Sequence, residues 1–109
     1  MRARSESELF LSVVTLGEVE RGIERMRASD PASASDLRAW IDRTVLLFED
    51  RILAFGAEDA VVWGRLSAAA GHDGADLMIA AQALTQGMTV VTRNVSHFAP
   101  TGVATHDPF

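Results

Sequence analysis

The chain has 109 residues, enough for one domain at most, and a formal net charge of -5. Its 48% hydrophobic and 23% charged residues describe a globular protein and exclude a disordered one. The absence of cysteine excludes disulfides, zinc–thiolate sites and thiol nucleophiles, and no apolar run reaches the roughly 20 residues of a membrane span. Without a signal-peptide core or a span, a cytoplasmic protein with no membrane contact is expected. The acidic balance means that any nucleic-acid contact must be local. All ten basic residues are arginine. Arg2, Arg4, Arg21, Arg25 and Arg27 crowd the first quarter, which suits either a phosphate-binding patch or a plain solvated helix face.

Residues 1–8 are polar and read as a frayed end or the tail of a helix. Leu9 to Val14 is an apolar run suited to a buried strand. A helix then begins with Thr15 as N-cap and Glu18 completing a capping box, and runs to about Met26 with Val19, Gly22, Ile23 and Met26 on one face. Ala28 to Ser35 reads as a loop. Ser35 or Asp36 caps a second helix whose stripe is Leu37, Trp40, Ile41, Val45 and Phe48. A strand at Ile52 to Phe55 ends at Gly56, and a third helix covers about Ala57 to Ala70, stopped by Gly71. A fourth helix runs from about Gly74 to Gln86 and closes at Gly87, with Asp73 and Asp76 spaced as N-cap and third position. Met88 to Thr92 is the clearest strand; a turn at Asn94, an apolar residue at Phe98 and a last strand at Val103 to Thr105 follow. Short strands separated by helices predict an α/β fold, three-layered, with a parallel sheet. Three or four short strands make that sheet thin for so many helices.

In open α/β sheets the functional site lies beyond the carboxyl ends of the strands. Glu18 and Asp76 open helices there, and Asn94 follows the strand Met88 to Thr92, so the three are expected to converge. Two carboxylates and an amide oxygen are hard ligands for Mg²⁺ or Mn²⁺, ions that stabilise charge and activate water in phosphodiester cleavage. First-turn acids equally serve as helix caps that complement the helix dipole, so spacing alone leaves both readings open. His72, His97 and His106 lack metal-ligand spacing, no phosphate-binding glycine loop or GxSxG elbow is present, and Trp40 and Trp63 read as core.

Three ordered blocks carry a family resemblance. LSVVTLGEVERGIERM resembles the segment around the second acidic position of VapC-like PIN-domain toxins of type II toxin–antitoxin systems. DLMIAAQALTQGMTVVTRNVSHF resembles the segment around the third and fourth positions, and GVATHDPF is similar to the family's GV…NP-aromatic ending, with Asp107 in the Asn place. The resemblance spans the chain from Leu9 onward. It implies a single PIN-like domain over residues 1–109: a metal-dependent endoribonuclease acting on tRNA or rRNA, usually dimeric and held inactive by a cognate antitoxin. On it, Glu18, Asp76 and Asn94 match catalytic, metal-binding positions. Thr92 matches a polar residue near the site, and Arg93, beside it, is expected to contact phosphate. Family members begin with a strand ending in an aspartate, within a DTNV-like or DTSV-like string, and this chain has no such string. The expected fold is therefore a PIN-like domain incomplete at its N-terminus, with the first central strand missing.

Two alternatives stand beside this reading. One is a catalytically inactive truncated fragment that retains only antitoxin or protomer binding. The other is an unrelated α/β binding module in which both acids are helix caps.

Overall fold

A computed structural model describes residues 9–108; Arg2, Arg4 and the rest of the polar start lie outside them, as does Phe109. The chain divides into two compact units, Met1–Ala54 and Phe55–Phe109.

The first unit contains β1 (Leu11–Ser12), α1 (Val13–Met26), α2 (Pro31–Leu47) and β2 (Ile52–Leu53). β1 and β2 pair in parallel, Leu11 against Ile52 and Ser12 against Leu53. Arg51 braces the pair: its guanidinium donates to the Leu9 and Leu47 carbonyls at 3.3 and 3.0 Å and sits 4.8 Å from the Phe48 ring centre. The cap of α1 is three residues earlier than the expected Thr15, because Ser12 is the N-cap and its hydroxyl oxygen accepts the Val14 N–H at 3.1 Å. The β-branched pair Val13–Val14, which reads as strand, is instead drawn into the helix by that cap. α2 also starts early. Asp30, not Ser35 or Asp36, is its N-cap, accepting the Ser33 N–H at 3.2 Å, and Pro31 opens the helix where a missing N–H does no harm. Ile23, Ala34 and Ile41 are buried between α1 and α2, with Leu16, Val19, Met26, Leu37 and Val45 packed around them. Burying a side chain such as Ile23 is worth about 1.5–3 kcal/mol. Trp40, expected in this core, is 48% exposed; the buried stripe narrows to Ile41 and its neighbours.

The second unit holds α3 (Ala57–Ala70), α4 (Ala75–Gln86), β3 (Val90–Val91), the single-turn α5 (Val95–Phe98), a 3₁₀ turn at Ala99–Thr101 and β4 (Thr105–His106). β3 and β4 pair in parallel, Val90 against Thr105 and Val91 against His106. The expected parallel pairing is thus present as two two-stranded pairs, with each strand shorter than its apolar run. α3 and α4 end on Gly71 and Gly87 at φ +76° and +65°, left-handed conformations that glycine adopts without a side-chain clash. The core joins Ala80, Ala83, Val90, Phe98 and Val103, with Leu66, Ile79 and Met88 against it. Asp59 is buried here at 5% exposure: it accepts the Gly56 N–H at 2.7 Å at the start of α3 and the Thr85 hydroxyl from α4. The architecture is α/β, rich in helix, with short parallel strands.

Candidate functional site

Asp76 stands in the first turn of α4, where unpaired backbone N–H groups and the helix dipole favour a carboxylate. The N-cap is Gly74, not Asp73, and no side chain caps the helix. The turn before it is shaped by His72, whose Nδ1 accepts the Gly74 N–H at 3.2 Å and whose carbonyl accepts the Ser67 hydroxyl at 2.7 Å. One residue beyond Asp76, Leu77 is 2% exposed, and Ala80 and Ala81 are wholly buried. This apolar face seats α4 while the Asp76 carboxylate stays 42% exposed.

Thr92, Arg93 and Asn94 form the turn that leaves β3. The Thr92 N–H donates to the His106 carbonyl at 2.9 Å, which continues the β3–β4 pairing, and its hydroxyl oxygen accepts the Asn94 N–H at 3.0 Å. Asn94 occupies the N-cap position of α5, yet its side chain makes no capping hydrogen bond. Its carbonyl accepts the His97 N–H at 3.0 Å, and Phe98, 4% exposed, pins the helix to the core. His97 then reaches out of α5: its Nδ1 lies 3.2 Å from Asp76 Oδ2. The structure thus joins α4 and the β3–α5 turn through a side chain that the sequence pattern marks only as a surface histidine. Its partner Asp76 lies 21 residues earlier, so no local spacing in the sequence marks the contact.

Glu18 belongs to the first unit. It lies past the first turn of α1, which contains no acid, so the expected capping box with Thr15 is not formed. Its carboxylate is 48% exposed and meets Arg21 Nη1 at 3.5 Å. Within the same helix Arg27 pairs with Glu24 at 3.0 Å, so two arginines of the candidate basic patch face glutamates. Glu18, Asp76 and Asn94 offer hard oxygen donors, the kind that suits Mg²⁺ or Mn²⁺. The His97 hydrogen bond engages one Asp76 oxygen only, and the Asn94 amide is not spent on capping. Among the described residues, no three histidine or acidic side chains gather into a metal-ligand group. No helix among them is long and apolar enough to cross a membrane.

The profile of the PIN domain matches residues 1–99. The plasmid stability protein StbB of Pseudomonas syringae pv. tomato is 32% identical over 113 residues, covering 98% of this chain and 80% of that protein. The crystal structure of FitAcB from Neisseria gonorrhoeae superposes with a TM-score of 0.75 at 26% identity, over 94% of this chain and 76% of that one. FitAB bound to an IR36 DNA fragment gives 0.73 at 28% identity, over 94% and 74%. VapBC2 from Rickettsia felis, bound to a DNA fragment from its promoter, shares the fold, with a TM-score of 0.68 at 21% identity over 89% and 72%. The resemblance to VapC-like toxins read from the sequence stands, and the chain belongs to the PIN domain family.

Proposed function

We propose that this chain, as one PIN-like domain, is a VapC-like toxin: a Mg²⁺- or Mn²⁺-dependent endoribonuclease that cleaves phosphodiester bonds in tRNA or rRNA. The observation that carries this reading is the placement of Asp76. It is an exposed carboxylate at a helix N-terminus, tied through His97 to the turn that bears Thr92, Arg93 and Asn94.

By the family resemblance Glu18, Asp76 and Asn94 match metal-binding positions; within the second unit Asp76 would offer a cation its carboxylate and Asn94 its amide oxygen. The bound cation supplies Lewis-acid stabilisation of the developing charge and an activated water. The chain's own residues prepare the rest. Asp76 stands in the first turn of α4, with its side chain 42% exposed to an incoming ligand. The Thr92 hydroxyl fixes the backbone of Asn94, and Arg93 offers a planar guanidinium for bidentate contact with a phosphodiester. The acidic whole confines RNA contact to such local groups.

FitAB, similar to this chain at 28% identity, is bound to an IR36 DNA fragment. A cognate antitoxin that neutralises this chain and a homodimer are proposed on the resemblance to VapC-like toxins.

The test is cleavage of tRNA and rRNA by the 109-residue chain. Expected is cleavage with Mg²⁺ or Mn²⁺ and none with EDTA. Asp76→Asn and Glu18→Gln should each lower the rate at least about a hundredfold, because the cation's charge stabilisation is worth several kcal/mol. Both variants should stay folded. Asp76→Asn forgoes about 0.5 kcal/mol of helix-dipole stabilisation, and Glu18→Gln about 0.3 kcal/mol of an exposed ion pair.

A second reading, a catalytically inactive chain that only binds its antitoxin or another protomer, draws on α2. Trp40, Leu46 and Leu47 are 48%, 70% and 56% exposed, apolar surface suited to a protein partner. Co-purification with the neighbouring gene product, without RNA cleavage or Mn²⁺ binding, would favour it.

A further inference from the structure

His97 takes no part in the proposed metal shell, yet it makes a side-chain hydrogen bond between the two segments that carry Asp76 and Asn94. We propose that His97 is a positioning residue for this site, orienting the Asp76 carboxylate toward a divalent cation. The proposal rests on the metal-dependent reading and names a further residue for it.

A carboxylate only accepts, so Nδ1 carries the proton and donates to Asp76 Oδ2 at 3.2 Å. An exposed aspartate at a helix start otherwise rotates among several orientations. One hydrogen bond to one oxygen selects among them and leaves the other oxygen for a ligand. Outer partners of this kind typically change metal affinity by about 10–100-fold.

The histidine is itself well held. Its N–H is bonded to the Asn94 carbonyl at 3.0 Å, and the next residue, Phe98, is anchored in the core. The same single turn therefore carries Asn94 at one end and the group that steers Asp76 at the other. The side chains of His97 and Asp76 are 59% and 42% exposed, so replacing the ring opens no cavity.

The variants follow from the atom that donates. Asparagine places its Nδ2 one bond from Cγ, as histidine does Nδ1, and so retains the donor; alanine removes it. Mn²⁺ binding to the full chain is measured by calorimetry for the unchanged protein, Asp76→Asn, His97→Ala and His97→Asn, with thermal midpoints recorded. Expected are loss of binding in Asp76→Asn, binding about tenfold weaker in His97→Ala at an unchanged midpoint, and recovery to within about twofold in His97→Asn. If His97→Ala binds Mn²⁺ as the unchanged chain does while Asp76→Asn fails, the positioning role is overturned and the metal site survives. A weakened His97→Ala that His97→Asn does not rescue also overturns it, because the donor is then not what matters. If the unchanged chain binds no Mn²⁺, or Asp76→Asn binds it undiminished, the metal reading falls and this proposal with it.

Discussion

Asp30 shows how much a single exposed side chain sets. Its carboxylate caps α2 by accepting the Ser33 N–H, and the hydrogen bonds from the Ser33 side chain and then its backbone hold its pKa below the usual carboxylate value. A carboxylate whose pKa is lower folded than unfolded stabilises the fold above the unfolded value, about 3.9 for aspartate, and loses that contribution as pH falls through the folded value. The cap should therefore weaken below about pH 4. Asp30→Asn keeps an accepting oxygen but no titrating one, so its thermal midpoint should fall less between about pH 5 and pH 3 than that of the unchanged chain. Equal slopes would show that Asp30 does not contribute to acid sensitivity. The sequence points elsewhere for this cap because Pro31, Ser33 and Ser35 look like loop residues when read singly. Proline at the first helical position and a side chain that caps from one residue earlier reverse that reading. Glu18 misleads for a related reason. The Thr15–Glu18 spacing fits a capping box, but Ser12, earlier in the chain, caps α1 first. The Glu18 carboxylate is thereby released from any capping duty.

Among the elements, α3 and α4 are joined by one buried acid. Asp59 accepts the Gly56 N–H with Oδ2 and the Thr85 hydroxyl with Oδ1, and Thr85 Oγ1 also lies 3.0 Å from the Gln82 carbonyl. Asp59→Ala removes the acceptor of the Gly56 N–H at the start of α3 and leaves the Thr85 hydroxyl without its carboxylate, for a loss of about 3 kcal/mol. Thr85→Val removes one of the two bonds and should cost about 1–2 kcal/mol. Because they share a bond, the double variant should lose less than the sum of the two. Denaturant unfolding of the four proteins measures this, and strict additivity would count against the Asp59–Thr85 link. The extents of α3 and α4 are legible in the sequence to within about a residue. Both end in glycines whose left-handed backbone is a local signal independent of tertiary contacts. The strands are overread, since a β-branched apolar run reports burial as much as extension. The run from Met88 to Thr92 leaves register and length to the pairing partner: here the strand itself covers Val90 and Val91, with one further hydrogen bond from Thr92. Trp40 misleads the other way, since a helical stripe marks a face without saying how far the neighbouring helix covers it.

For the molecule as a whole, charge and site pull in opposite directions. A protein of net charge -5 repels RNA at long range, so a nuclease built on it must concentrate attraction near the scissile bond. Part of the positive charge is balanced within the first unit: Arg21 by Glu18, Arg27 by Glu24, and Arg38 by Glu20 and Asp42, where the hydrogen bond to the Glu20 carboxylate raises the guanidinium's pKa. The residues of the candidate site are legible only as ordered blocks of a family, because first-turn acids are too common to identify a site alone. His97 escapes a reading of the sequence because its partner, Asp76, lies 21 residues away. Position singles out Arg93, which stands between Thr92 and Asn94 in the turn after β3. RNA affinity of the full chain, measured by anisotropy with Ca²⁺ over about 50–200 mM salt, should fall with a slope set by the phosphates contacted. Arg93→Ala should weaken binding and flatten that slope by about 0.7, the share of one contact to single-stranded RNA. Arg27→Ala should leave the slope unchanged, because its charge is balanced by Glu24 at 3.0 Å. If the two variants flatten the slope equally, attraction is spread over the arginines and Arg93 has no special place in it.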